Sequence, residues 1–314
     1  MQLSRVIICA LNNKKLGDMM KIGLVGTGRL GGGIVERLLS VGHEVFIWNR
    51  SPEKAHHLVE LGATLMDSPA KVVDASEIIL SVLTDADAID ATYSGPSGIL
   101  SANLKGKACI EMSTVRPETQ IALAAKVIAA GGGFVECPVS GTVMPAKEGT
   151  LFGLVGGDAL SVEKVMPLLQ QMCRRIEHVG AVGSGSSLKL AINLPLLVYW
   201  EALAEAVALT QPIGLDPERL FDILADTSGA PNALKARGPK IAAALKSGKA
   251  GATFFNIDSV RKDLRTMVEE GKSLGYTLPV TQAALASYDR SSEAGYGACD
   301  GSELVTSWLA IAKK

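Results

Sequence analysis

An α/β domain followed by an all-helical one is the fold class this sequence predicts, and three observations predict it. Short apolar strands alternate with helical stretches from Lys21 to about Gly185. A glycine-rich turn separates the first of those strands from the first helix. From Ser186 to the end, helical periodicity replaces the alternation and no convincing strand remains. With 314 residues the chain suffices for one large domain or two ordinary ones, and 47% hydrophobic against 20% charged residues supply a filled core.

The elements follow in order. "KIGLVG" is a buried strand, a helix runs from about Arg29 to Val41, and "HEVFIW" is the second strand. In "SPEKAHHLVELG", Ser51 stands as helix cap, Pro52 at the first helical position and Gly62 after the end. Strands "EIILSVL", "ACIEMS", "GFVECPVS", "TLFGLVGG" and "RRIEHVG" come next, separated by helical runs such as Pro117 to Ala130 and Leu160 to Met172. That alternation indicates a mostly parallel, doubly wound sheet. "GAVGSGSS" is glycine- and serine-rich, as a domain junction should be, so residues 20–184 form the first domain and 185–314 the second. Helices are expected in the second over roughly Leu188 to Thr210, Asp216 to Ala225, Asn232 to Lys246, Asp258 to Leu274, Val280 to Glu293 and Ser302 to Ala312. Residues 1–19 are expected to be an extension outside the fold: "VIICAL" is shorter than a secretory core and no small-residue cleavage site follows it. Met20 directly before the first strand is where a start assigned too far upstream would leave it.

Composition excludes several function classes. A formal net charge of −1 removes the electrostatic case for nucleic acid or an anionic membrane as partner. No apolar run reaches the ~18 residues of a bilayer span. Five dispersed cysteines read as reduced thiols in a cytoplasmic protein. His43, His56, His57 and His178 show no metal-binding spacing and are expected to be structural or solvated.

The glycine turn reads Gly26-Thr27-Gly28-Arg29-Leu30-Gly31, a G-x-G-x-x-G match between a strand and a helix in the first β-α-β unit. Gly26 allows the tight turn, Gly28 lets a pyrophosphate approach the backbone, and Gly31 lets helix and strand pack closely. The N–H groups opening the helix would meet the phosphates. A Rossmann-type dinucleotide domain follows. About 20 residues on, where an acid would bind the ribose hydroxyl of NAD, the chain has Asn49-Arg50-Ser51 with Lys54 one turn further. A guanidinium beside a short hydroxyl suits a 2′-phosphate, so NADP is preferred over NAD.

Two further stretches carry chemistry. "ECPVSGTVMPAKEGTLFGLVGG" places Ser140-Gly141 at a strand end, a cradle for a carboxylate or a plain turn. In "GSGSSLKLAINLPLLVYW", Lys189 stands at the threshold of an apolar run, and is either a snorkelling surface residue or a reactive amine. Ser186-Ser187-Leu188-Lys189 is formally S-x-x-K, but the companion S-D-N and K-T-G motifs are absent. Asn193 lies four residues after Lys189, on the same helix face. Glu201 and Glu205 share that spacing and read as a polar face or a subunit contact.

From Lys21 to Lys314 the chain resembles the β-hydroxyacid dehydrogenase family, which includes 3-hydroxyisobutyrate dehydrogenases and tartronate semialdehyde and glyoxylate/succinic semialdehyde reductases. The resemblance rests on "GLVGTGRLG", "VGHEVFIWNRSPEK", "STVRPET", "CPVSGTVMPAKEGTL", "VGSGSSLKLAIN" and "FNIDSVRKDL" in that order. It implies a helical second domain like that of 6-phosphogluconate dehydrogenase, Lys189 as catalytic acid/base and Asn193 as a substrate ligand. It implies a substrate carboxylate held by Ser140, Gly141 and the residue after them, Thr142. Ser113 and Thr114 would lie beside the nicotinamide, with Leu83-Thr84 near its ribose, Lys262 and Asp263 near cofactor and active site, and Phe255 bordering the pocket. Thr142 stands where a second glycine is common, Ile192 replaces the first of two asparagines, Leu83-Thr84 replaces Leu-Pro and Cys137 replaces alanine. "MPAKEGTL" looks closest to the glyoxylate/succinic semialdehyde branch, whereas "VLTDADAIDATYSGPSGIL" is equally at home among hydroxyisobutyrate dehydrogenases.

The expected chemistry is transfer of a hydride between the nicotinamide and a small aldehyde- or keto-acid, with Lys189 handling the proton. The alternatives are an imine reductase of the same fold, whose members generally replace that lysine, and a non-catalytic NADP-binding interaction module. A homodimer or homotetramer is the expected assembly.

Overall fold

The computed structural model describes residues 19–247, 253 and 255–312. Apart from Met19, the expected extension lies outside the described residues. The first domain is a nine-stranded sheet: β1 (Lys21–Val25), β2 (Glu44–Trp48), β3 (Thr64–Leu65), β4 (Ile78–Ser81), β5 (Ala108–Glu111), β6 (Gly133–Glu136), β7 (Val139–Ser140), β8 (Leu151–Gly157) and β9 (Cys173–Gly180). The spatial order is β3-β2-β1-β4-β5-β6-β8-β7, with β9 also on β8. Pairing is parallel from β3 through β6, then antiparallel where β8 meets β6 and β7. β1 therefore has β2 on one side and β4 on the other, the reversal of strand order that opens a crevice at the carboxyl ends.

Helices cover both faces: α1 (Arg29–Ser40), α2 (His56–Glu60), α3 (Pro69–Ala75), α4 (Ala86–Ser94), α5 (Pro117–Ala129), α6 (Val143–Glu148) and α7 (Ala159–Met172). Apolar strands buried on both faces split their side chains between two cores. Ile22 and Leu24 of β1 join Ile34, Val35 and Leu38 of α1 on one face. Val25 joins Val72 and Val73 of α3 and Leu123 of α5 on the other.

Several expectations shift. The single strand expected over "GFVECPVS" breaks at Cys137-Pro138, since proline brings no N–H to a ladder. Ser51 makes no capping hydrogen bond, and the segment it opens starts as a 3₁₀ turn, Pro52–Ala55. α3 and α4 are short helices with local caps: the Ser68 hydroxyl accepts from Lys71 N and the Asp85 carboxylate from Ala88 N.

The second domain contains α8 (Ser184–Thr210), α9 (Pro217–Ala225), α10 (Asn232–Ser247), α11 (Ile257–Ser273), α12 (Pro279–Ser291) and α13 (Leu304–Ala312). Its core gathers Leu197, Trp200 and Leu203 of α8 with Phe221, Ile241, Leu264, Tyr288 and Leu304. The helix expected from about Leu188 starts earlier, at Ser184, so the second half of the glycine–serine stretch is the first turn of α8, entered through Gly183 at φ 100°. By length and composition the span 184–213 is apolar enough to cross a bilayer, contrary to the reading of uncharged runs alone. Here its buried side packs against the helical core, and Glu201 accepts from Ser287 Oγ (2.6 Å) and Trp308 Nε1 (3.0 Å). Glu201 is thus an internal anchor tying α8 to α12 and α13, while Glu205 is exposed.

Candidate functional site

The glycine turn is built from the backbone. Gly26 has φ 94°, and a Cβ there would lie 2.2 Å from Val82 O. A Cβ on Gly31 would lie 2.0 Å from Gly26 O, so α1 starts directly against the turn. A Cβ on Gly28 would meet nothing within 4 Å, and that open approach to the N–H groups of α1 is what a pyrophosphate needs. Asn49 directly follows β2 and braces the turn: its Oδ1 accepts from Thr27 N (3.1 Å) and its Nδ2 donates to Ser51 O (2.9 Å). Gly26, Gly28, Asn49, Arg50, Ser51, Lys54, Leu83 and Thr84 line one cavity of about 270 Å³. Arg29, Arg50 and Lys54 are exposed and make no ion pair among the described residues. Leu30 packs inward on the sheet core. The donor set fits a dinucleotide with a phosphate on its ribose: backbone N–H groups for the bridge, free cations and a hydroxyl beyond it.

The expected carboxylate cradle leads into α6 (Val143–Glu148). Gly141, with φ 127°, follows β7; a Cβ there would lie 2.8 Å from Leu151 Cδ2 and 3.1 Å from Pro145 Cβ. Thr142 takes φ −120°, ψ −156°, an ordinary extended conformation that needs no glycine. α6, which Thr142 opens, packs on α1 through Gly33, and Lys147 pairs with Glu36 at 2.8 Å. The Ser140 hydroxyl makes no hydrogen bond with protein among the described residues.

The third group converges from α8 and α11. Lys189 is 8% exposed, and its Nζ donates to Asn193 Oδ1 at 2.9 Å. Asn193 Nδ2 lies 3.5 Å from Asp263 Oδ2. The other oxygen of Asp263 pairs with Lys262 Nζ at 2.5 Å, and Lys262 in turn donates to Thr114 O at 2.7 Å. The result is one continuous line of polar contacts from α8 across α11 to the loop after β5. Burial pushes the Lys189 ammonium down to about 8; the Asp263 carboxylate works against that shift and the Lys262 charge adds to it. An amine so held changes protonation near neutral pH.

Other positions sit differently from a bare list of ligands. Ser113 is buried; its Oγ accepts from Leu83 N (2.8 Å) and donates to Glu111, so its hydroxyl shapes the wall of the cofactor cavity. Phe255 packs on the helical-domain core two residues before α11, and its carbonyl accepts from Gly301 N. His43 bridges Met20 N and Gln171, and the imidazole of His178 meets the carbonyls of Gly157 and Gly180. Sequence reasoning missed Arg116, which bridges the domains through Glu270 (3.1 Å), and the buried Glu111 and Glu136. The one signal for the glutamates was a charge ending each of the apolar strands "ACIE" and "GFVE".

Comparison with known proteins adds relatives. Residues 21–180 match the NAD binding domain of 6-phosphogluconate dehydrogenase, and residues 183–308 the NAD-binding domain of NADP-dependent 3-hydroxyisobutyrate dehydrogenase. Glyoxylate/succinic semialdehyde reductase 1 of Arabidopsis thaliana is 32% identical over 91% of this chain and 97% of its own length. Cytokine-like nuclear factor N-PAC of Anopheles gambiae is 31% identical over 91% of this chain, which spans only 50% of that relative. In structure, a 3-hydroxyisobutyrate dehydrogenase of Mycobacterium tuberculosis solved with L-serine shares the fold, with a TM-score of 0.80 at 24% identity over 93% of this chain and 99% of the other.

Proposed function

The chain belongs to the β-hydroxyacid dehydrogenase family, with NAD(P)-binding domains, and on that premise we propose that it is an NADPH-dependent reductase of a small aldehyde- or keto-acid. The observation that carries the reading is the buried Lys189, held by Asn193 and linked through Asp263 and Lys262 to the loop bordering the cofactor cavity. NADPH, when bound, supplies the hydride. Gly26, Gly28 and Gly31 admit its pyrophosphate, and Arg50, Ser51 and Lys54 hold the 2′-phosphate. Thr84 and Thr114 border its nicotinamide end. Ser140, Gly141 and Thr142 cradle the substrate carboxylate. Protonated Lys189 gives its proton to the carbonyl oxygen, and in oxidation the neutral amine takes it from the hydroxyl. Asn193 fixes the direction of the ammonium, which a flexible four-carbon stem would not hold unaided.

We place the working enzyme in the cytoplasm as a homodimer or homotetramer. Leu188 and Ile192, 38% and 39% exposed on α8, support a subunit contact there, and light scattering would show the mass of one chain if they do not make one. For the reaction, NADPH and NADH are tested against glyoxylate, succinic semialdehyde, tartronate semialdehyde, methylmalonate semialdehyde and a cyclic imine, with Lys189→Ala alongside. Acid reduction lost in the variant is expected. Imine turnover that survives Lys189→Ala, with no activity on any acid, sinks the proposal.

A further inference from the structure

The carboxyl ends of β4, β5 and β6 carry a row of buried polar residues. In register across the sheet, Val25 faces Ser81, Ser81 faces Glu111, Glu111 faces Glu136 and Glu136 faces Gly156. Ser81, Glu111 and Glu136 are each fully buried. Uncompensated carboxylates are costly in such a place, so their partners show what they hold.

Glu136 holds the start of α8. Its Oε1 accepts from Gly183 N (2.6 Å) and Gly185 N (2.8 Å), and its Oε2 from Ser186 Oγ (2.6 Å). Gly183 has no side chain to cap the helix it precedes, so the cap comes from a strand 47 residues earlier. Room for it depends on glycine: a Cβ on Gly156 would lie 2.3 Å from Glu136 Oε1, and one on Gly185 would lie 2.5 Å from Leu154 O. Lys189 stands one turn beyond Ser186 on the same helix.

Glu111 holds the other side. It accepts from Ser113 N (3.0 Å), from Ser113 Oγ and from Gln120 Nε2 of α5. Ser113 Oγ receives Leu83 N, and Leu83 lines the cofactor cavity. Tyr93 of α4, bonded to Ser81 at 2.8 Å, closes the row on its far side.

We propose that Glu136 and Glu111 are paired positioning residues: Glu136 sets Lys189 through the first turn of α8, and Glu111 sets the Ser113–Leu83 wall of the cofactor cavity. The inference rests on the proton-transfer role given to Lys189, but its test needs no turnover. The groups facing the two carboxylates are each other, Ser113, Gln120, Tyr93, Cys137, Ser186 and the backbone N–H groups of Gly183 and Gly185. Asp263 and Lys262 are the charged neighbours that shift the Lys189 amine, and comparing Glu136→Gln with Glu136→Ala separates loss of the Glu136 charge from loss of its grip.

The experiment is amine labelling of Lys189 against pH, read by peptide mass spectrometry, beside NADPH binding read by nucleotide fluorescence. In Glu136→Ala the α8 turn loosens and water reaches the amine, so the labelling midpoint rises toward that of an ordinary lysine by roughly half a unit or more. Glu136→Gln keeps an acceptor and leaves the midpoint in place. Glu136→Asp, with a shorter reach, moves it the same way as alanine and serves where Glu136→Ala does not fold. Glu111→Ala weakens NADPH binding by roughly fivefold or more with the Lys189 midpoint unchanged. An unchanged midpoint in whichever of Glu136→Ala and Glu136→Asp folds, or NADPH binding unchanged in folded Glu111→Ala, overturns the assignment. Lack of turnover on every acid, with these shifts present, would instead count against the proposed reaction.

Discussion

The two halves of the candidate site are made of different material. On the cofactor side the turn after β1 works through its backbone: Gly26, Gly28 and Gly31 contribute space and N–H groups, and a single Cβ on Gly26 or Gly31 would collide with a carbonyl oxygen. On the α8–α11 side the backbone is ordinary helix, and Lys189, Asn193, Asp263 and Lys262 do the work with side chains. The first half is intolerant of shape and indifferent to pH, while the second tolerates shape better and is tuned by burial and charge.

The largest effect should come from the side-chain half. Lys189→Ala removes the proposed proton donor and is expected to lower kcat/KM about 10²- to 10⁴-fold, with NADPH binding retained in a fluorescence titration. Gly31→Ala tests the other half: its Cβ, 2.0 Å from Gly26 O, forces the turn apart at a cost of roughly 2–4 kcal/mol, read as weakened NADPH binding or a lowered melting temperature. Retained binding and stability there would erase the contrast. Arg50→Ala should weaken NADPH binding about tenfold and leave NADH binding nearly untouched, because only the 2′-phosphate loses a charge-assisted hydrogen bond. A preference for NADH in the parent protein would remove the role given to Arg50.

The pH predictions separate the halves further. With the Lys189 amine at about 8, reduction needs the protonated form and should fall as pH rises through that value, while oxidation should rise. Asp263→Asn removes the carboxylate that opposes the depression, so both limbs should move to lower pH. A smaller effect concerns stability. Burial pushes the Glu111 carboxyl up to about 7, against donated hydrogen bonds that pull it down. A raised carboxyl pKa means the folded state binds the proton more tightly than the unfolded chain. Its contribution is therefore full below the ordinary carboxylate range and is lost as pH rises toward 7. Glu111→Gln should flatten that part of the pH dependence of the denaturation midpoint, and an unaltered slope would show that the carboxyl does not titrate there.

Most of the fold was legible because its signals are local. Strand runs, the G-x-G-x-x-G turn, Pro117 at the start of α5 and the 3.6-residue periodicity of α11 each lie within one element. The i, i+4 spacing of Lys189 and Asn193 likewise put both on one helix face, where a hydrogen bond joins them. Misreadings arose where one element depended on another. The helix carrying Lys189 was expected to start only at about Leu188, since glycine and serine disfavour helix on their own. Glu136 and the close approach to β8 make the stretch from Ser184 a capped helical turn. The departure at Thr142 costs the backbone nothing, because that residue is extended and needs no glycine.

By itself the sequence determined the class of fold, the cofactor turn and the placing of Lys189 and Asn193 on one helix face, all from patterns within a few residues of chain. Tertiary structure alone decided what surrounds them: Asp263 against Asn193 across 70 residues, and Lys262 against Thr114 across 148. It also seated two buried carboxylates under the cleft. A pKa and a helix cap depend on what is near in space, and burial is a property of the assembled core rather than of any segment.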